Sequence, residues 1–311
     1  MYAPFVDSER PHPEMAAAAA QMMQRMLRSA TSAHTARSHL FLAARAGLKR
    51  GKFWQQSMAA DVLVYDFQDG CAPGDDVHVF KSIELSHKVF PGSICSVRVS
   101  ELENDGGKSK IIEEIGASLS QPQVRWLMLP MCDTPDDVAT FKDIVNSIDK
   151  SWLTTHGQLQ IICETPKCLF NLDNMLASHP EIAGVVVGGG DFSRFAQMNV
   201  QTLTTLLRWD VLNTCLRHQR FTIDSPILGI DTKNDAYFKS SALAGMRSAV
   251  VLHPTQVESC NESFSPRLQD VKATLPEVDV WINQRKTGYR RGTGDDFVGP
   301  PHMKQMEHVA R

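Results

Sequence analysis

The sequence predicts an α/β fold, a closed (β/α)8 or TIM barrel in which each of eight parallel strands is followed by a helix. Eight short apolar runs recur at near-regular intervals, with helix-like segments between them. Most of the runs end in a charged or otherwise reactive residue. In such a barrel the chemistry takes place at the carboxyl ends of the strands. The runs cover 39–42, 61–65, 94–99, 126–130, 159–163, 182–187, 221–223 and 248–252.

The segments between the runs carry signals for helix starts and helix ends. Thr134 can cap a helix whose first position is Pro135, and acids follow at the positive end of the helix dipole. After the seventh run, Thr232 is a second candidate cap and Gly245 a candidate helix end. Apolar residues at helical spacing predict a helix on the barrel wall between the sixth and seventh strands. They are Leu203, Leu206, Leu207, Val211 and Cys215.

The length of the chain predicts one barrel domain with extensions. A closed barrel of this type uses roughly 250 residues, whereas the chain has 311. We place the barrel at 38–265, an N-terminal extension at 1–37 and a C-terminal helical extension at 266–311. No acidic residue occurs between Met15 and Ala60, and this stretch is basic, as in a mitochondrial presequence. We therefore expect a mitochondrial location and otherwise a cytoplasmic one; the alternative is an Ala-rich helix that packs on the barrel or on a partner.

The overall composition argues against nucleic acid and membrane partners. The net charge is −3, from 32 basic and 35 acidic residues, and creates no broad field for polyanions. No apolar run reaches the roughly 18 residues needed to cross a bilayer, so we expect a soluble protein. The seven cysteines are scattered without the spacing of a zinc site, which favours reduced thiols in an intracellular compartment.

Two carboxylates follow neighbouring predicted strands. Glu164 comes directly after the fifth strand, and Asp191 follows the sixth strand and three glycines, Gly188, Gly189 and Gly190. Two carboxylates on one rim repel each other unless one is protonated or a cation lies between them. Mg²⁺ takes two carboxylates and several waters, and the glycines let a ligand approach closely. The pair favours a metal site; the alternative is that each acid caps the next helix.

Other polar residues end the remaining strands. Arg98 ends the third strand and suits bidentate capture of a substrate carboxylate or phosphate; the alternative is a salt bridge to Asp66 or Glu164. Asp66 and Asp69 follow the second strand, where one of them can orient Arg98. Asp224 can do likewise from the seventh strand; the alternative is that it merely starts a loop. His253 precedes a proline, a position where a histidine more often caps a helix than catalyses.

The ordered series of these motifs resembles the HpcH/HpaI aldolase and citrate lyase beta-subunit superfamily, in particular its malyl-CoA and citramalyl-CoA lyase branch. The resemblance runs from about Arg37 to the C-terminus. The matching segments are 37–42, 65–70, 97–99, 163–165, 188–192, 223–224, 252–257 and 261–266.

This resemblance implies a Mg²⁺-dependent carbon–carbon lyase that splits a hydroxyacyl-CoA thioester into an acyl-CoA and a 2-oxo acid. Glu164 and Asp191 would hold the metal, and Arg98 would fix a carboxylate of the substrate. Asp66 and Asp69 are the further catalytic candidates, and Glu164 and Asp224 the further substrate-binding candidates. It also implies a homo-oligomer, a trimer or a hexamer, in which the C-terminal extension packs across subunits.

The chain departs from the family pattern at several positions. Gln68 replaces an acid, Met131 a lysine, and Gly299 an aspartate that in active relatives enters the site of a neighbouring subunit. A glutamine cannot act as a carboxylate base. The second hypothesis is therefore a catalytically impaired member that serves as a structural or binding subunit, for example of a mitochondrial assembly.

Overall fold

A computed structural model of the chain confirms the eight-stranded barrel. It describes residues 36–49, 52–89, 93–102, 107–197, 199–227 and 235–265, with residue 278 and the stretches 282–283, 289–290 and 297–298. All eight predicted strands are present and pair in parallel in chain order, with the eighth closing on the first. They are β1 (Ser38–Leu42), β2 (Val62–Asp66), β3 (Ile94–Arg98), β4 (Val124–Leu129), β5 (Gln158–Cys163), β6 (Ile182–Val187), β7 (Phe221–Asp224) and β8 (Ser248–Val251).

Helices connect the strands in the described part of the chain. They are α1 (Lys52–Ser57), α2 (Asp76–Val89), α3 (Gly107–Leu119), α4 (Pro135–Ile148), α5 (Trp152–Thr155), α6 (Pro166–Ser178), α7 (Gly189–Ala196), α8 (Val200–Arg217), α9 (Asp235–Leu243) and α10 (Val257–Ser263). Short 3-10 turns cover Ala44–Leu48 and Pro254–Gln256. Among these helices, none is long and apolar enough to cross a membrane.

The chain divides into two compact units, Met1–Asn261 and Glu262–Arg311. In the second unit, Tyr289–Arg290 (β9) pairs antiparallel with Phe297–Val298 (β10). Several predictions fall outside the described residues. They concern the N-terminal extension before Ala36, the cap at Thr232, most of the C-terminal extension, and Gly299.

Two of the predicted helix signals are confirmed. Thr134 and Asp137 form a reciprocal capping box, in which each side chain accepts a hydrogen bond from the backbone N–H of the other residue. Gly245, with a φ of +97°, follows the end of α9 in the left-handed region that glycine adopts without strain.

The apolar stripe on α8 is confirmed only in part. Leu207, Val211 and Cys215 are buried, but Leu206 is 56% exposed, so its assignment to the stripe was wrong. A helix turns by about 100° per residue, which places Leu206 about 140° around the helix from Val211. The side chain of Leu203 is not described.

The interior of the barrel is a packed core. His39 of β1, Trp126 of β4 and Phe221 of β7 meet across it, with ring centroids 6.1–6.4 Å apart. Burial lowers the pKa of His39 to about 4, so its imidazole is neutral at pH 7. The seven cysteines, all within the described part of the chain, form no disulfide. A filled interior leaves the carboxyl ends of the strands as the place for a site.

Candidate active site

Arg98 and Asp66 form a buried ion pair at the carboxyl ends of β3 and β2, where the two residues are register partners. Nε of Arg98 donates to Oδ1 of Asp66 at 2.7 Å, and Nη2 donates to Oδ2 at 2.5 Å. Nη1 lies 3.1 Å from Oδ2 of Asp69, whose side chain is 69% exposed. The ring of Phe41 lies against the guanidinium, 5.1 Å from its Cζ. These contacts fix Arg98 at the rim of the barrel.

The carboxylate of Asp66 is fully engaged. Besides the two bonds from Arg98, it accepts the backbone N–H of Gln68 at 3.0 Å and that of Gly70 at 2.7 Å. A Cβ on Gly70 would lie 2.6 Å from Oδ2 of Asp66, so a glycine is needed for this close turn. Asp66 was predicted to be catalytic; because its oxygens are already occupied, we assign it instead the role of orienting Arg98.

Arg98 retains donors for a ligand. A guanidinium has five N–H groups, and three are directed at Asp66 and Asp69. The two that remain, on the terminal nitrogens, suit a substrate carboxylate.

Glu164 is a buried carboxyl with a strongly raised pKa. It follows β5, is 4% exposed, and its Oε1 accepts the backbone N–H of Met131 at 2.6 Å. Burial raises the pKa of Glu164 to about 7; the negative charges of Asp191 and Asp69 raise it further, while the Met131 hydrogen bond and Arg98 oppose the shift. The pKa of Glu164 therefore depends on the charges of Asp191, Arg98 and Asp69.

Two backbone features give Glu164 this position. Met131 has a φ of +48°, an uncommon and strained conformation for a residue other than glycine, and directs its N–H at the carboxylate. A Cβ on Gly188 would lie 2.2 Å from Cβ of Glu164, so only a glycine fits there. The sequence carried no signal for the role of Met131, because a left-handed methionine follows from tertiary packing.

Asp191 lies in the first turn of α7, three residues after Gly188. Its side chain is 39% exposed, and Nη2 of Arg194 lies 3.4 Å from its Oδ1. A Cβ on Gly190 would meet open space. Asp191 is therefore an accessible carboxylate, close enough to Glu164 to raise its pKa.

The donor set around Glu164 fits a hard divalent cation. Within the described residues, no group of three or more His, Cys, Asp or Glu side chains is arranged to hold a metal ion. Two carboxylates completed by water and substrate oxygens are the usual environment of Mg²⁺. Burial disfavours the ionised form of Glu164, and a bound cation would stabilise that form.

Asp224 lies away from solvent. It is fully buried, with its Oδ2 2.7 Å from Nη2 of Arg208, and its Oδ1 accepts from Nε of the same arginine at 3.2 Å. Asp224 was predicted to bind substrate; in the structure its carboxylate is buried and paired with Arg208. Arg208, which precedes Asp224 by 16 residues and lies on α8, was missed by sequence reasoning.

Two further rim residues have structural contacts. His253 is a cap, as its position suggested: its Nδ1 accepts the backbone N–H of Thr255 at 3.3 Å. The amide Nε2 of Gln68 donates to Oε1 of Glu101 at 2.7 Å. The resembled family has an acid at this position, whereas the amide of Gln68 binds the carboxylate of Glu101.

The fold and the site define an α/β-barrel protein with a buried arginine–aspartate ion pair and a buried glutamate at the carboxyl ends of its strands. The HpcH/HpaI aldolase/citrate lyase family model matches residues 37–219, more than half of the chain, and the chain belongs to this family.

Its similar relatives include proteins that act on CoA esters. A (3S)-malyl-CoA thioesterase of Cereibacter sphaeroides is 23% identical over 275 residues, which cover 83% of this chain and 87% of the relative. An L-malyl-CoA/beta-methylmalyl-CoA lyase of Rhodobacter capsulatus is 24% identical over 239 residues, covering 67% of this chain and 73% of that protein.

Solved structures share the fold. A citrate lyase from Burkholderia xenovorans superimposes with a TM-score of 0.71 at 13% identity, covering 89% of this chain and 90% of that one. The CitE protein of Mycobacterium tuberculosis, in complex with magnesium, acetoacetate and coenzyme A, gives a TM-score of 0.66 at 15% identity, with coverages of 89% and 99%.

Proposed function

We propose that the protein is a Mg²⁺-dependent carbon–carbon lyase that cleaves a hydroxyacyl-CoA thioester into an acyl-CoA and a 2-oxo acid. The observation that carries the proposal is the buried carboxyl of Glu164, whose pKa of about 7 reflects its burial and the proximity of Asp191, on the same rim as Arg98. Malyl-CoA lyases among the relatives, and a structural neighbour that holds magnesium and coenzyme A, support the same reading.

Different residues serve metal binding and substrate binding. Glu164 and Asp191 would hold Mg²⁺, which when bound supplies positive charge that polarises the oxygens of the oxo-acid end. The two unused N–H groups of Arg98 bind the carboxylate of that end, and Asp66 keeps the guanidinium from rotating.

Cleavage also requires a base that removes the proton of the hydroxyl group. Asp69 is the candidate, because its carboxylate is exposed, lies 3.1 Å from Nη1 of Arg98, and is near enough to Glu164 to affect its pKa. Asp66 is excluded from this role by its four hydrogen bonds.

A catalytically impaired structural or binding subunit is the second candidate. The observation that favours it is Gln68, whose amide is bound to Glu101 and supplies no carboxylate to the rim. Gly299 adds to this, since in the resembled family an aspartate at this place completes the site.

A product assay separates these functions. Malyl-, citramalyl- and related hydroxyacyl-CoA esters are incubated with Mg²⁺ and the protein, and the 2-oxo acid, the acyl-CoA and free CoA are quantified. A lyase yields the first two in equal amounts, whereas a thioesterase yields free CoA. The control is Asp191→Asn, which removes a proposed metal ligand at a partly exposed position.

Wild-type release of 2-oxo acid that Asp191→Asn abolishes is the expected result. Release of 2-oxo acid only after Gly299→Asp would identify an impaired lyase. The absence of all products with the wild type and with Gly299→Asp would contradict the proposal.

We also propose a homo-oligomer, a trimer or a hexamer, and a mitochondrial location. The support is the resemblance and the basic N-terminal composition. Light scattering at micromolar concentration tests the first: we expect a multiple of the 34.6 kDa chain mass, and a monomer would contradict it.

A further inference from the structure

Ser225 bridges the backbone on both sides of Gly188. This buried residue directly follows β7. Its Oγ donates to the carbonyl oxygen of Val187 at 2.5 Å and accepts the backbone N–H of Gly189 at 3.2 Å. One hydroxyl therefore ties the end of β6 to the first residue of α7, the helix that carries Asp191.

The backbone of Ser225 is itself held by the side chains of Asp224 and Tyr237. Its N–H donates to Oδ1 of Asp224 at 2.9 Å, and its carbonyl accepts the hydroxyl of Tyr237 at 2.9 Å. Arg208 completes the group through its ion pair with Asp224, and its Cζ lies 5.4 Å from the centroid of the Tyr237 ring. We call Arg208, Asp224, Ser225 and Tyr237 the β7 clamp.

We infer that the β7 clamp positions Asp191 for metal binding, with Ser225 as the positioning residue that acts through the glycine segment. This inference rests on the proposed metal site. Glycine is the residue with the most backbone freedom, and three glycines in succession, Gly188 to Gly190, precede Asp191. Within the described part of the chain, the one ion pair of the Asp191 side chain is a 3.4 Å contact to Arg194, so its position depends on the backbone.

The physical consequence is preorganisation. A carboxylate on a loosely held glycine segment must be ordered when the ion binds, and that entropic cost weakens binding. A segment held in advance by Ser225 avoids the cost. A clamp that served only to join β6 to β7 would contribute to folding stability and leave metal affinity unchanged.

Calorimetric titration with Mg²⁺ separates these roles. The variant is Ser225→Ala, and the matched control is Ser248→Ala, a buried serine on β8 whose Oγ donates to the carbonyl of Thr222 at 3.2 Å. Loss of a hydrogen bond worth about 1 kcal/mol predicts a Kd for Mg²⁺ raised by about fivefold in Ser225→Ala. The control is expected to lose comparable thermal stability and keep the wild-type Kd.

A Kd in Ser225→Ala equal to that of the control would overturn the inference while leaving the metal site intact. If the wild type binds Mg²⁺ no better than a Glu164→Gln, Asp191→Asn double variant, the metal site fails and the inference falls with it. Should Ser225→Ala not fold, Tyr237→Phe, which removes the bond from the Tyr237 hydroxyl to the Ser225 carbonyl, is titrated in its place. It is expected to weaken binding by about twofold or more, and an unchanged Kd would refute the clamp.

Discussion

Glu164→Gln is expected to stabilise the metal-free protein at alkaline pH. The pKa of Glu164 is about 7 in the folded protein, chiefly because of burial, against an ordinary value of 4.5. A carboxyl with a raised folded pKa contributes stability that is fully present below pH 4.5 and is lost as the pH rises through 7. Glutamine keeps the shape and the acceptor for the Met131 N–H, and it carries no charge.

The magnitude follows from the two pKa values. They differ by about 2.5, and each unit corresponds to about 1.4 kcal/mol. The ionised carboxyl therefore costs about 3 kcal/mol at pH 8, and the cost falls below about 1 kcal/mol at pH 5, where the folded protein keeps the group protonated.

Urea denaturation in the presence of EDTA measures this effect. The free energy of unfolding of Glu164→Gln should exceed that of the wild type by about 3 kcal/mol at pH 8, with the difference largely gone at pH 5. The control is Glu84→Gln, at an exposed glutamate that pairs with Lys88, where no stabilisation is expected. Because both proteins retain His39, its acid titration cancels in the comparison. A difference that does not change with pH, or a less stable Gln variant, would refute the electrostatic reasoning.

Two further substitutions test the geometry of the rim. Arg98→Lys loses the bidentate pairing and is expected to lower kcat/KM for the thioester by about a hundredfold in steady-state assays. The control is Arg45→Lys, in an exposed ion pair, which should leave kcat/KM unchanged. Equal effects of the two substitutions would contradict the role of Arg98. Gly188→Ala places a Cβ 2.2 Å from Cβ of Glu164, so it should lower Tm in thermal unfolding and abolish Mg²⁺ binding in calorimetry. The control is Gly190→Ala, whose Cβ meets open space and which should change neither Tm nor binding. Wild-type Tm and binding in Gly188→Ala would contradict the close packing.

The barrel could be predicted from the sequence because each of its strands is a short apolar run between recognisable helix signals. Strand positions depend on local composition, and the order of parallel strands follows from the alternation of strands and helices. The same logic placed Arg98 and Glu164 at one rim. Thr134 and Gly245 gave correct helix ends, since capping is a local property.

The contacts that assign roles to these residues were beyond sequence reasoning. Arg98 supplies two of the four hydrogen bonds to Asp66 from 32 residues away, and Arg208 pairs with Asp224 from 16 residues away, so both pairings depend on tertiary structure. The exposed Leu206 shows a related limit, because adjacent apolar residues on a helix leave the buried face ambiguous. The left-handed backbone of Met131 is imposed by tertiary structure and has no local signature.

The central claim is that Glu164 and Asp191 form a Mg²⁺ site, and isothermal titration calorimetry at pH 7 in two buffers of different ionisation enthalpy tests it most directly. Because the pKa of Glu164 is about 7, we predict saturable binding with release of about half a proton per ion, absent in the Glu164→Gln, Asp191→Asn double variant. Binding that the double variant retains in full, or no binding by the wild type, would contradict the account.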